Sequence, residues 1–84
     1  MSILKVSIKQ IKAARSLLDW SQTDLADASG VSEPTIKRLE AQGDLLGGRS
    51  ETAEKIIHAL QSGGIEFIPE NGGGAGVRLK RGSK

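Results

Sequence analysis

One short stretch of this sequence brings together cations, carboxylates and hydrogen-bond donors that could bind a ligand. Residues 33–40 include Glu33, Lys37, Arg38 and Glu40. A guanidinium fork or a lysine ammonium suits a phosphate or a base edge, and a carboxylate suits an amino group. Taken alone, Lys37 and Arg38 would more often be solvated cations on a helix surface. The elements that position them therefore decide between binding and simple solvation.

The composition excludes several kinds of catalytic and metal site. There is no cysteine, and His58 is the single histidine, so the chain has no disulfide framework, no thiolate metal site and no cysteine nucleophile. The glycine-rich stretch 71–76 lacks the G-x-x-x-x-G-K-[ST] string of a phosphate-binding loop. No Ser-His-Asp set, carboxylate pair or cofactor fingerprint is apparent. We expect neither an enzyme nor a bound cofactor or metal.

Positive charge is concentrated at the two ends of the chain, although the net charge is only +2. Residues 1–15 and 77–84 each carry four cations and no acid. Such ends suit a polyanionic partner, but they could equally serve only solubility. Trp20 and Phe67 are the only aromatic residues, so stacking on single-stranded bases is not expected to drive binding.

The sequence contains no membrane signal. No apolar run approaches the roughly 18 residues that a spanning helix needs, and the first residues do not form the core of a signal peptide. We therefore expect a cytoplasmic protein without a membrane partner.

Apolar periodicity and capping residues predict four short helices followed by a glycine-rich tail. Ser7 with Gln10 forms a capping-box pair, and Gly30 supplies the positive φ that ends a helix. The predicted helices cover residues 8–18, 22–28, 33–41 and 51–62. The serines predicted to cap them are Ser7, Ser21, Ser32 and Ser50. The predicted stops of the last two helices are Gly43 and Gly63-Gly64.

The C-terminal segment alternates between apolar and polar residues in two runs, 65–67 and 77–80, which predicts a β-hairpin. A disordered tail is the alternative. An isolated hairpin is marginal in water, so it would need to pack on the helices or on a second chain. We expect a domain over residues 1–62 and an extension over residues 63–84 that could serve as a dimer element.

Two predicted helices and a tight turn within residues 22–40 form a motif in which each position has a physical reason. Small Ala26 allows the helices to cross closely, and Gly30 permits a left-handed turn. The residues that carry the pattern are Gln22, Leu25, Ala26, Gly30, Val31, Ser32, Thr35, Ile36, Leu39 and Glu40. In these the sequence resembles the lambda-repressor/Cro-like (XRE-type) helix-turn-helix family. The resemblance covers about residues 7–62 and does not extend to the family's fifth helix.

This resemblance implies a mainly α fold, a compact bundle of about four helices, with residues 33–41 as a recognition helix in the major groove. It also implies an ion pair of structural role between Arg15 and Glu40. The residues implied to bind DNA are Gln22, Ser32, Glu33, Pro34, Thr35, Lys37 and Arg38.

Each implied DNA contact has a distinct chemistry. Arg38 could donate to guanine O6 and N7, and Glu33 could accept from cytosine N4, although Glu33 could instead serve only the helix dipole. Pro34 offers apolar contact to a thymine methyl. Gln22 and Ser32 suit the phosphate backbone, which fixes register without reading sequence.

The leading hypothesis is a sequence-specific regulator of transcription, such as a repressor, that binds double-stranded DNA as a homodimer. The alternative is an antitoxin or adaptor that keeps the fold but binds a protein partner such as a toxin. Partner-dependent ordering of residues 63–84 would favour this alternative.

Overall fold

The computed structural model describes residues 6–42, 51–70 and 72–80. In chain order its elements are α1 (Ile8–Leu18), α2 (Gln22–Ser29), α3 (Glu33–Gln42), α4 (Glu51–Ser62), β1 (Ile65–Ile68) and β2 (Gly76–Leu79). The predicted mainly α fold with a C-terminal hairpin is confirmed, and α2 and α3 each run one residue further than predicted. The predicted stop at Gly43 and cap at Ser50 lie outside the described residues.

The starts of α1 and α2 are fixed by reciprocal side-chain caps. The Ser7 hydroxyl accepts from the Gln10 amide at 3.1 Å, and the Gln10 side chain accepts from the Ser7 amide at 2.9 Å. Ser21 and Asp24 repeat this capping box at 3.0 and 2.9 Å. These bonds satisfy amides that have no partner inside the helix.

The core is one cluster to which all four helices and β1 contribute. Its most completely buried large side chains come from each of these elements and from the residue preceding Ser7: Val6, Ile8, Leu25, Ile36, Ile56, Leu60 and Ile65. Trp20 and Val77 pack against this cluster from partly buried positions. Burial of apolar surface from both ends of the chain therefore holds the helices in place.

The hairpin packs on the helices of its own chain. β1 and β2 pair antiparallel, with Ile65 opposite Leu79 and Phe67 opposite Val77. Ile65 and Phe67 are buried in the core. The stability that a lone hairpin lacks is thus supplied within the chain.

A buried glutamine joins α1 to β2. Gln10, 7% exposed, donates from Nε2 to the Gly76 carbonyl at 2.9 Å while its Oε1 caps α1. Sequence reasoning assigned Gln10 only to the cap. The bond from Gln10 to Gly76 joins residues that are 66 positions apart, and no local sequence pattern predicts such a contact.

Among the described residues, no helix combines the length and apolarity required to cross a membrane.

Candidate nucleic-acid interface

The turn between α2 and α3 is fixed by backbone conformation and by local hydrogen bonds. Gly30 has φ 78° and donates its amide to the Ala26 carbonyl at 2.9 Å. The Ser29 hydroxyl accepts from the Val31 amide at 3.2 Å. Leu25 is fully buried against the core. Since only glycine adopts this φ readily, the turn sets the angle at which α3 leaves α2.

α3 has one face in the core and one face in solvent. Ile36 and Glu40 are buried, whereas Pro34, Lys37 and Arg38 are exposed. The side chain of Arg38 makes no hydrogen bond or ion pair with any other residue that the structure describes. Its guanidinium is therefore free to bind an external acceptor.

Two of the proposed contact residues on α3 interact with each other. Lys37 Nζ lies 3.5 Å from Glu33 Oε2, one helical turn apart, and the two side chains are 61% and 37% exposed. An exposed pair of this kind is worth little and is easily exchanged for another partner. Both groups therefore remain available to a ligand at small cost.

The two hydroxyls at the start of α3 are joined. Ser32 Oγ donates to Thr35 Oγ1 at 2.8 Å, and the Ser32 carbonyl accepts from the Ile36 amide at 3.1 Å, as an N-cap carbonyl does. The two hydroxyls have two protons and this bond uses one of them, so one proton remains for an external acceptor.

Arg15 and Glu40 form a bidentate ion pair between α1 and α3. Arg15 Nε and Nη2 each lie 2.8 Å from a Glu40 carboxylate oxygen, and the side chains are 19% and 5% exposed. Arg15 Nη1 also donates to the Trp20 carbonyl at 2.9 Å. The ion pair therefore links α1, α3 and the chain just before α2.

Gln22, implied by the resemblance to hold phosphate, also contacts this ion pair. Its Nε2 donates to Glu40 Oε1 at 3.0 Å. Sequence reasoning missed this contact, because a position at the start of a helix does not reveal which side chain lies opposite. The amide group has two donors, so one remains for an external acceptor.

The protonation of Glu40 follows from these contacts. Burial by itself would raise the pKa of the Glu40 carboxyl, but hydrogen bonds from Arg15 and Gln22 and the charges of Arg15 and Lys12 together outweigh it. The pKa of Glu40 therefore lies below its ordinary value of 4.5. At neutral pH Glu40 is a carboxylate whose hydrogen-bonding capacity is largely used within the protein.

Lys12, Gln22, Lys37, Glu40 and Ala41 line an open concave surface where α1, α2 and α3 meet. Lys12 was not among the site residues expected from the sequence. The sequence places Lys12 on α1, one turn before Arg15. This position indicates a site residue only when α1 is known to pack beside α3. Among the described residues, no group of three or more His, Asp or Glu could hold a metal ion.

Two helices joined at a fixed glycine turn, with the second helix exposing a cationic face, define a helix-turn-helix protein. Residues 11–45 match the family model described as Helix-turn-helix. This match agrees with the resemblance to the XRE-type, lambda repressor/Cro-like family, and it supports a DNA-binding helix-turn-helix family for this segment. The family resemblance inferred from residues 22–40 is thereby confirmed. No curated protein matches the chain.

Proposed function

We propose that this protein is a sequence-specific regulator of transcription that inserts α3 into the major groove of double-stranded DNA. The observation that carries the proposal is the exposed face of α3. Arg38 stands there without a partner among the described residues, on the side opposite buried Ile36. Arg38 lies near the middle of α3, and a helix that lies in the major groove can bring such a side chain to the base edges.

The proposed base contacts divide by chemistry. Arg38 donates to guanine O6 and N7, a pairing worth about 1–3 kcal/mol of discrimination. Glu33 accepts from cytosine N4 after releasing Lys37, and Pro34 offers only apolar contact. Lys37 then turns to the phosphate backbone.

The proposed contacts to the DNA backbone fix the position of the protein along the duplex. Thr35 donates its hydroxyl proton while Ser32 orients it through their 2.8 Å bond. Gln22 supplies its second amide donor from the start of α2. None of these contacts distinguishes one base pair from another, so sequence reading is assigned to Arg38 and Glu33.

We propose further that the regulator, such as a cytoplasmic repressor, acts as a homodimer. Leu17 on α1 and Leu79 on β2 are 42% and 47% exposed, and α1 packs on β2, so the two leucines lie on neighbouring elements. A second copy on this surface would cover them. Two modules would read two half-sites about one helical turn apart.

The antitoxin or adaptor alternative receives no support from a specific contact. The observation that would support this alternative is a C-terminal segment that becomes ordered only when a partner binds. In the single chain β1 and β2 already pack on α4 and α1. The toxin-like partner stays a prediction, and we do not propose it.

Selection of duplexes from a randomised library tests the proposed function. The affinity of the enriched duplex is then measured over a salt series for the wild type, Arg38→Ala and the control Lys55→Ala, which changes an exposed cation on α4. We expect an enriched palindrome, relaxation of one or two base pairs in Arg38→Ala, and no change in Lys55→Ala. Weak binding without enrichment, steeply dependent on salt, would leave only nonspecific phosphate contact.

A further inference from the structure

The concave surface between α1, α2 and α3 collects donors from three elements. Lys12 comes from α1, Gln22 from α2, and Lys37 with Glu40 and Ala41 from α3. Lys12 and Lys37 are exposed, Gln22 is half-buried and Glu40 is buried. Cations and an amide around an open depression suit a small anion more than an apolar ligand.

The carboxylate in this surface offsets the cations only in part, although the charge of Lys12 acts on Glu40. Glu40 accepts two hydrogen bonds from Arg15 and one from Gln22, so its charge is offset by Arg15 behind it. Lys12 forms no ion pair with any described residue, and Lys37 has only the exposed contact with Glu33 at 3.5 Å. The balance facing solvent is therefore positive.

The carboxylate also orients the amide. One donor of Gln22 Nε2 is held by Glu40 Oε1 at 3.0 Å, which fixes the plane of the side chain and hence the direction of its second donor. Glu40 is thus a positioning residue for Gln22. An amide held in this way loses less conformational freedom when it binds an acceptor.

We propose that this surface, the α1–α3 seat, binds one phosphate of the DNA backbone, with Lys12 as a contact from α1. The proposal rests on the proposed function, because it assigns one phosphate of the same complex. Lys12 supplies charge from α1 and Lys37 from α3, and the second donor of Gln22 supplies direction. Small Ala41 leaves the wall of the seat open. The seat fixes the register of α3 and reads no base.

The experiment compares Lys12→Gln with Lys55→Gln, a matched loss of one exposed cation on α4. Each variant and the wild type are titrated with the selected duplex and with an unrelated duplex over a salt series. Because the proposed dimer would lose one phosphate contact in each half-site, the magnitude of the slope of log K against log salt should fall by about 0.9 per half-site, or about 1.8 in total, on both duplexes for Lys12→Gln only. The base preferences of the protein should stay unchanged.

Ethylation of single phosphates locates the contact. One phosphate in each half-site should interfere with wild-type binding, and that interference should disappear in Lys12→Gln. Thermal unfolding of the variants checks that the exposed substitution leaves the fold intact.

The outcomes of these measurements distinguish a failure of the seat from a failure of the proposed function. If the wild type selects a motif but Lys12→Gln keeps the wild-type slope and interference pattern, the seat is overturned while the proposed function stands. If the wild type binds no duplex, both the seat and the proposed function are contradicted. If it binds only nonspecifically, the same slope comparison on unrelated DNA still decides for or against the seat.

Discussion

The side-chain amide of Gln22 donates to the same carboxylate, that of Glu40, which Arg15 grips with two hydrogen bonds. A residue at the start of α2 is therefore joined to the ion pair between α1 and α3. A change in the ion pair should alter both folding stability and the orientation of Gln22, a side chain that we propose contacts DNA. The two effects are measurable separately.

Loss of Arg15 should be strongly destabilising. In Arg15→Met the apolar stem is largely retained, but the buried Glu40 carboxylate keeps only the Gln22 hydrogen bond. We expect the free energy of unfolding to fall by about 3 kcal/mol, the low end for a broken buried pair. Urea denaturation measures it, provided that the m-value is unchanged.

A second variant separates the broken pair from lost packing. In Arg15→Met/Glu40→Leu no buried charge remains, so this protein should be more stable than the single Arg15→Met variant. A double variant less stable than the single would contradict the assignment of the loss to an unpaired carboxylate.

The contribution of Glu40 to stability should depend on pH. Its folded-state pKa lies below 4.5, so the unfolded chain takes up the proton first as the pH falls. The stabilisation is therefore fully present above the unfolded pKa and is lost as the pH falls through the folded value. The stability difference between the wild type and Glu40→Gln should be largest at neutral pH and should shrink as the pH falls below 4.5.

Glu66 provides the control for this pH effect. A hydrogen bond from Arg78 lowers the pKa of Glu66 as well. This pair lies on the hairpin, where the side chains of Glu66 and Arg78 are 45% and 62% exposed. Solvent screening should keep the effect of Glu66→Gln small at every pH. Equal pH dependence in the two variants would show that burial of Glu40 is unimportant.

Gln10 should be required for the attachment of the hairpin. Gln10→Ala removes the side-chain acceptor of the Ser7 amide in the capping box and the donor to the Gly76 carbonyl, whereas Ser7→Ala removes only the hydroxyl that accepts from the Gln10 amide. We expect a loss of about 1 kcal/mol for Ser7→Ala and roughly 2 kcal/mol or more for Gln10→Ala. Hydrogen exchange distinguishes them, because β2 amides should exchange faster only in Gln10→Ala. Similar exchange of β2 in both variants would disprove the attachment.

Leu79 should support self-association if the proposed homodimer is correct. Leu79→Gln changes an exposed side chain and leaves buried Ile65 and Phe67 in place. We expect the dimer dissociation constant, measured by sedimentation, to rise at least tenfold, since the dimer would bury the exposed 47% of each of two Leu79 side chains, together about 1.5–3 kcal/mol. The control is Lys80→Gln. An unchanged constant in Leu79→Gln would exclude β2 from the interface.

Local chemistry made much of the fold predictable from the sequence. The helix bounds agree within one residue because serine caps and Gly30 act on their own neighbours. The bond from Gln10 to Gly76 and that from Gln22 to Glu40 were not predictable, since each depends on how distant elements pack. Pro34, Lys37 and Arg38 are exposed because buried Ile36 fixes the rotation of α3, whereas their binding to DNA stays a prediction.

If α3 reads DNA as proposed, stability and specificity are encoded at different positions of this helix. Ile36 belongs to the core, whereas Glu33, Pro34, Lys37 and Arg38 have no place in it. Mutations at these four positions can therefore accumulate without unfolding the protein. Gene duplication followed by drift at these positions would give daughter proteins with the same scaffold and different targets. A library randomised there would let the same divergence be followed in the laboratory.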